Sequence, residues 1–199
     1  MQVERLILGP LQTNCYLVSL PGRPDALVID PAAEPEKIFS ALGERKAAAV
    51  LLTHGHFDHT AALSAFAGTP IYIHPADEIM LTDPEWSVGG RFGDTAPRPA
   101  ATDYVQEGTV LHLAGMDISV LHLPGHTLGG VAYRIGDALF TGDTLFYRAY
   151  GRVDHPGGDL AVLFASLRRL LKSEKNCIVC PGHGETTTLI EEREMFGWG

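Results

Sequence analysis

The segment Thr53-His54-Gly55-His56-Phe57-Asp58-His59 follows directly on the apolar run Ala48-Ala49-Val50-Leu51-Leu52. An unbroken apolar run of that length reads as a strand covered on both faces, the kind found inside a layered α/β fold. His54 and His56 stand two apart, so on extended backbone both imidazoles point to one side. Two imidazoles on one side can chelate a borderline-soft divalent ion. Asp58 and His59 come after the chain turns and offer a second position.

Three further segments repeat one pattern of strand, tight turn and single donor. They are Leu121-His122-Leu123-Pro124-Gly125-His126-Thr127, Leu139-Phe140-Thr141-Gly142-Asp143-Thr144 and Val179-Cys180-Pro181-Gly182-His183-Gly184. In each, the glycine before the donor opens backbone conformations closed to other residues. The candidate metal ligands are therefore His54, His56, Asp58, His59, His126, Asp143 and His183. Seven donors exceed a tetrahedral site with one open position, which uses three protein ligands. They fit two ions roughly 3.5–4 Å apart that share a carboxylate and a water-derived hydroxide.

Around these turns the chain alternates short strands and helices. Strands are expected at Val3–Leu8, Cys15–Leu20, Ala26–Ile29, Ile71–Ile73, Val110–Leu113, Asp117–Leu123, Val131–Ile135, Ala138–Thr141 and Cys177–Cys180. Pro35 opens a helix with Ile38, Phe39 and Leu42 on one face. Asp159 is a good N-cap for a later helix carrying Leu160, Leu163, Leu167 and Leu170. Short helices are expected at Asp58–Ala67, Ala76–Leu81 and Thr188–Phe196. Thr82–Glu107 has no periodicity, and a connection that long is usually functional or disordered. The expectation is one α/β domain over residues 1–199.

Composition narrows the function. The chain has 24 acidic and 15 basic residues, a net charge of −9, and 45% apolar residues. That balance argues against a phosphate-backbone binder or an anionic membrane surface, leaving a small molecule as the expected partner. No apolar run approaches a membrane span, and the first ten residues do not read as a secretory signal. Three cysteines (Cys15, Cys177, Cys180) make no disulfide framework, so a cytoplasmic protein is expected. Oligomeric state has no signature in the sequence.

These motifs resemble the metallo-β-lactamase-fold superfamily and, within it, glyoxalase II, the hydroxyacylglutathione hydrolases. The likeness runs from Asn14-Cys15-Tyr16-Leu17 through Val28-Ile29-Asp30-Pro31 to Pro181-Gly182-His183-Gly184. It implies a four-layer αβ/βα sandwich of two mixed sheets with outer helices and the metals at one edge. It implies that His54, His56 and His126 hold one ion, that Asp58, His59 and His183 hold the other, and that Asp143 bridges them. Two divalent ions are implied, with zinc expected and iron or manganese as alternatives. The implied reaction is hydrolysis of a 2-hydroxyacyl thiol ester by a metal-bridging hydroxide, with Asp58 and Asp143 counted as catalytic. The same motif suits a second reading, a mononuclear non-haem iron persulfide dioxygenase using His54, His126 and Asp143.

In glyoxalase II a basic residue after the bridging Asp contacts glutathione, and Arg152 matches it. Tyr147 and Tyr150 are candidate pocket residues by proximity to Asp143. Longer glyoxalase II chains carry a helical extension with further glutathione contacts. Here 16 residues follow His183, so a short form with weak glutathione preference is expected. Asp30, at a strand end, is a candidate to orient a ligand histidine. His74, His112 and His155 stand isolated and read as ordinary.

Overall fold

The side chains of Thr13–Ser19 show how the layers arise. Cys15 and Leu17 pack to one side and Tyr16 and Val18 to the other, and the whole strand is buried. A strand covered on both faces needs a partner layer on each, and the computed structural model, which describes residues 1–198, supplies them.

The first sheet holds β1 (Gln2–Leu8), β2 (Thr13–Ser19), β3 (Asp25–Ile29), β4 (Lys46–Leu51), β5 (Ile71–Ile73) and β6 (Asp103–Tyr104) in that order. Its first two pairings are antiparallel and the other three parallel. The second sheet uses β7 (Val110–Leu113), β8 (Met116–His122), β9 (Val131–Ile135) and β10 (Ala138–Gly142). A small hairpin follows, β11 (Leu145–Phe146) with β12 (Ala149–Tyr150). Strands β13 (Ile178–Pro181) and β14 (Thr187–Thr188) then complete the second sheet, in the order β14-β13-β10-β9-β8-β7. Only the β10–β13 pairing in it is parallel.

The inner faces of the two sheets pack on each other through Tyr16, Leu27, Leu51, Val120, Tyr133 and Phe140. Helix α1 (Pro35–Leu42) covers the outer face of the first sheet with Ile38 and Leu42. The short helix α2 (Phe57–Thr60) carries part of the His-rich segment. Helix α3 (Leu160–Ser173) covers the second sheet with Leu163, Leu167, Leu170 and Leu171. Asp159 caps α3 by accepting from the Val162 N–H at 2.9 Å, as its side chain predicts. Helix α4 (Leu189–Phe196) starts with a capping box between Thr188 and Glu191. The expected αβ/βα sandwich of two mixed sheets is the fold. No helix among the described residues is long and apolar enough to cross a membrane.

Two local expectations change. The helix expected over Asp58–Ala67 is broken into α2 and a 3₁₀ turn at Leu63–Phe66, and Pro75–Leu81 is also 3₁₀. The aperiodic segment 82–107 is ordered: it holds a 3₁₀ turn at Gly89–Phe92 and strand β6. Strands β3, β4, β8, β10 and β13 all deliver their C-terminal ends to one edge of the sandwich. Asp30, His54, His126, Asp143 and His183 follow those ends within four residues.

Candidate metal centre

The seven donors fall into two groups. His54, His56 and His126 bring ligand atoms within 4.8 Å of one another, and so do Asp58, His59 and His183. Asp143 touches both: its Oδ2 lies 3.6 Å from His126 Nε2 and 3.5 Å from His183 Nε2, and its Oδ1 lies 3.3 Å from His59 Nε2. His54, His56, His59 and His126 are each at most 4% exposed. A third set, Asp30 with His54 and His59, is equally close-set, but the Asp30 carboxylate is already engaged in hydrogen bonds.

Four of the five imidazoles have Nδ1 opposite an acceptor. His59 Nδ1 donates to Asp30 Oδ2 at 2.9 Å, His126 Nδ1 to the Arg152 carbonyl at 2.6 Å, and His183 Nδ1 to the Leu11 carbonyl at 3.1 Å. Thr53 spends its hydroxyl proton on Asp30 at 2.6 Å, so its oxygen accepts from His54 Nδ1 at 3.0 Å. An N–H placed on Nδ1 leaves the Nε2 lone pair free for an ion. His56 differs, presenting Nδ1 to His126 Nε2 at 2.9 Å.

The donor set fits metal ions on a further ground. His54 Nε2 and His56 Nε2 are buried with no hydrogen-bond partner, and His59 Nε2 faces the Asp143 carboxylate at 3.3 Å. Buried polar atoms are nearly always satisfied, and a cluster of orphaned lone pairs calls for a cation.

Charge supports the division. Burial, then the neighbouring imidazoles, holds His54 well below the usual imidazole range, and burial with His126 brings His56 down to about 3. Burial opposes charge on His59 too, but Asp58, Asp143 and Asp30 outweigh it and hold its pKa well above the ordinary value. His183 is raised in the same way, burial being outweighed by Asp58 and Asp143. Burial would raise both carboxyls, yet His59 and His183 hold Asp58 down at about 2 and Asp143 well below the carboxylate range.

Two glycines are required here, for different reasons. Gly142 has φ +49°, and a Cβ there would meet Thr53 Oγ1 at 2.3 Å. Gly182 has no left-handed φ. A Cβ there would lie 2.2 Å from Asp143 Oδ1, so approach rather than backbone freedom excludes a side chain.

Several supporting residues lie outside the candidate ligand motifs. Thr13 donates to Asp58 Oδ2 at 2.8 Å, and Asn14 Nδ2 donates to the carbonyls of Pro181 and Gly184, both at 2.9 Å. Asp77 is fully buried and accepts from Thr127 Oγ1 at 2.7 Å and Gly129 N–H at 2.6 Å, bracing the turn that carries His126. A short polar residue at a strand end was the available signal for Asp30, whose candidacy as an orienting acceptor the His59 contact matches. Asp77 lay inside an expected helix and gave none.

A cavity of about 160 Å³ opens on the donors. Leu11, Phe57, Val88 and Phe92 form its apolar lining, and Arg152 and His155 its basic lining. Arg152 thus reaches the site, with its guanidinium held bidentate by Asp154 at 2.6 Å on both bonds. His155, expected to be ordinary, is brought in because the Asp159 N–H donates to the Gly125 carbonyl at 2.8 Å, folding residues 155–159 against the His126 turn. Tyr147 and Tyr150 are corrected the other way, since neither lines this cavity. Tyr150 packs on Phe164 and Phe196, and Tyr147 lies beneath the Arg148 guanidinium. Buried Glu192 on α4 causes this by accepting the Arg148 N–H, which draws the β11–β12 turn toward that helix.

Sequence comparison agrees with this geometry: the family description "metallo-beta-lactamase superfamily" matches residues 8–183. The chain belongs to the metallo-beta-lactamase superfamily. Within the superfamily it is 34% identical over 203 residues to a hydroxyacylglutathione hydrolase, GloC, of Haemophilus influenzae, covering 97% of this chain and 95% of that one. Among solved superfamily folds it resembles the B3 metallo-beta-lactamase BLEG-1, with a TM-score of 0.92, 32% identity and 97% of each chain covered. It also resembles TTHA1623, solved in a di-iron-bound form, with a TM-score of 0.84, 40% identity and 97% and 98% of the two chains covered.

Proposed function

We propose that this metallo-hydrolase cleaves thioesters, with a small 2-hydroxyacyl thiol ester as substrate. The observation carrying the reading is Asp143, whose two carboxylate oxygens reach both donor groups. His54, His56 and His126 would hold one divalent ion, Asp58, His59 and His183 the other, and Asp143 would reach both. Ions bound there supply Lewis acidity at a carbonyl oxygen and lower the pKa of a water to about 7. Zinc is the expected metal, and the di-iron relative keeps iron beside it.

The chain's own part is orientation. Asp30, Thr53, Leu11 and Arg152 fix the imidazole tautomers before substrate arrives. A thiolate leaves with a pKa of roughly 8.5, so no protonating side chain is needed. The similarity to a hydroxyacylglutathione hydrolase supports the thioester class. Arg152 suits an anionic thiol portion, but it is exposed and already paired with Asp154, so its contribution is modest. The buried, unpaired thiols of Cys15, Cys177 and Cys180 suit a reducing cytoplasm.

The test is hydrolysis by metal-loaded protein across a panel of thioesters, lactones and β-lactams, with an oxygen electrode in parallel. Lactoyl esters of glutathione and of a smaller thiol should both be cleaved without O₂ uptake, their kcat/KM differing by less than about a hundredfold. Arg152→Ala should bring that ratio toward one. Activity confined to lactones or β-lactams would overturn the reading. So would O₂ consumption with a persulfide, which selects the dioxygenase.

A further inference from the structure

Segment 82–98 is built to hold a shape. Arg98, its side chain 7% exposed, donates to both carboxylate oxygens of Asp94 at 3.0 and 2.6 Å, and its N–H donates to the Leu81 carbonyl at 2.7 Å. The Asp94 N–H closes onto the Gly89 carbonyl at 2.9 Å. The Phe57 N–H donates to the Ser87 carbonyl at 3.0 Å, tying the segment to the ligand-bearing turn. Val88 is a β-branched residue with φ +66°, a conformation such residues rarely adopt, and it lines the cavity. Phe92 remains 59% exposed, yet it stacks on Phe57 with ring centroids 4.8 Å apart. A large exposed aromatic held at a cavity by a braced loop marks a binding surface.

We propose that this segment is a preformed acyl-recognition wall with Phe92 as its specificity-determining residue, and that the preferred acyl group carries an apolar, aromatic substituent beside the carbonyl. The inference rests on the thioester reading and names the substrate class for that site. The lining decides which end of the ester sits here. The open cavity of about 160 Å³ is shared by the donors and four apolar residues, and its scale is that of one ring beside the carbonyl rather than of a peptide-sized thiol. Leu11, Phe57, Val88 and Phe92 give that ring an apolar surround, while exposed Arg152 and half-buried His155 offer basic groups to the thiol end.

The experiment is steady-state kinetics of the metal-loaded full chain on two ester series. One varies the acyl group (acetyl, lactoyl, phenylacetyl, 2-hydroxy-2-phenylacetyl) on a single thiol. The other varies the thiol on a single acyl group. The phenyl-bearing esters should exceed acetyl and lactoyl in kcat/KM by tenfold or more. Phe92→Ala should lower that ratio at least tenfold, and Phe92→Leu should restore most of it. Both variants should stay folded, with melting lowered by only a few degrees for the lost stack on Phe57. A phenyl preference within threefold, a ratio indifferent to Phe92→Ala, or a Phe92 effect that follows the thiol would overturn the wall while leaving the thioesterase intact. Absence of cleavage of every thioester by protein holding two ions would overturn the thioester reading and the wall with it.

Discussion

Nε2 of His126 lies 2.9 Å from Nδ1 of His56, joining turns 70 residues apart that follow strands of opposite sheets. Because His126 has its proton on Nδ1, against the Arg152 carbonyl, its Nε2 presents a lone pair to His56. Two imidazoles meeting in this way share either a proton or a cation. The orphaned Nε2 of buried His54 beside them favours the cation.

Metal content follows from the two donor groups. Purified protein reconstituted with zinc should hold close to two ions per chain by elemental analysis. His126→Ala should retain the ion of the Asp58 group, and His183→Ala that of the His54 group, each near one ion per chain. Asp143→Ala should weaken both and lower kcat by orders of magnitude. Wild-type protein that never exceeds one ion in excess zinc would contradict the dinuclear arrangement.

Asp77 should tune one ion and spare the other. Its carboxylate braces Thr127 and Gly129 in the turn that aims His126, and a buried donor left unpaired costs about 1–3 kcal/mol. Asp77→Ala is expected to lower affinity at the His54 group by roughly 10–100-fold, the usual range for lost outer partners. Affinity at the Asp58 group should change much less. Competition against a chromogenic chelator reads both constants, and an equal loss at the two would show a general structural effect instead.

Acid should empty the two groups in order. His59 and His183 have raised pKa values, so in metal-free protein they keep their protons to higher pH and an ion must displace them. His54 and His56 are lowered and already neutral. As pH falls from 8 to 6, zinc affinity at the Asp58 group should therefore drop more steeply than at the His54 group. Zinc titrations of His126→Ala and His183→Ala at pH 8, 7 and 6 isolate each group. Parallel slopes would contradict the charge division.

The site was readable where its chemistry is local. His54, His56, Asp58 and His59 fall within six consecutive residues, and a two-residue period on extended chain is enough to place the first two rings together. His126, Asp143 and His183 were readable because each follows a strand and a glycine. The substrate lining was not, because nearness to Asp143 in sequence predicts little once the chain turns. Tyr147 and Tyr150 sit close to Asp143 along the chain, yet Glu192 on α4 holds their turn elsewhere. His155 and Phe92, with no motif around them, line the cavity.

Sequence alone determined the layered α/β architecture and singled out seven side chains that the fold gathers, since both rest on short-range periodicity and on residue types with few other uses in such a pattern. Only the tertiary structure decided which nitrogen of each imidazole is free and what lines the cavity beside the donors. Those depend on contacts between residues far apart in the chain: Leu11 with His183 across 172 positions, Thr127 with Asp77 across 50, and Asp30 with His59 across 29. A backbone carbonyl such as that of Leu11 has no identity in sequence, so its role as an orienting acceptor exists only once the two sheets have packed and brought it to the imidazole.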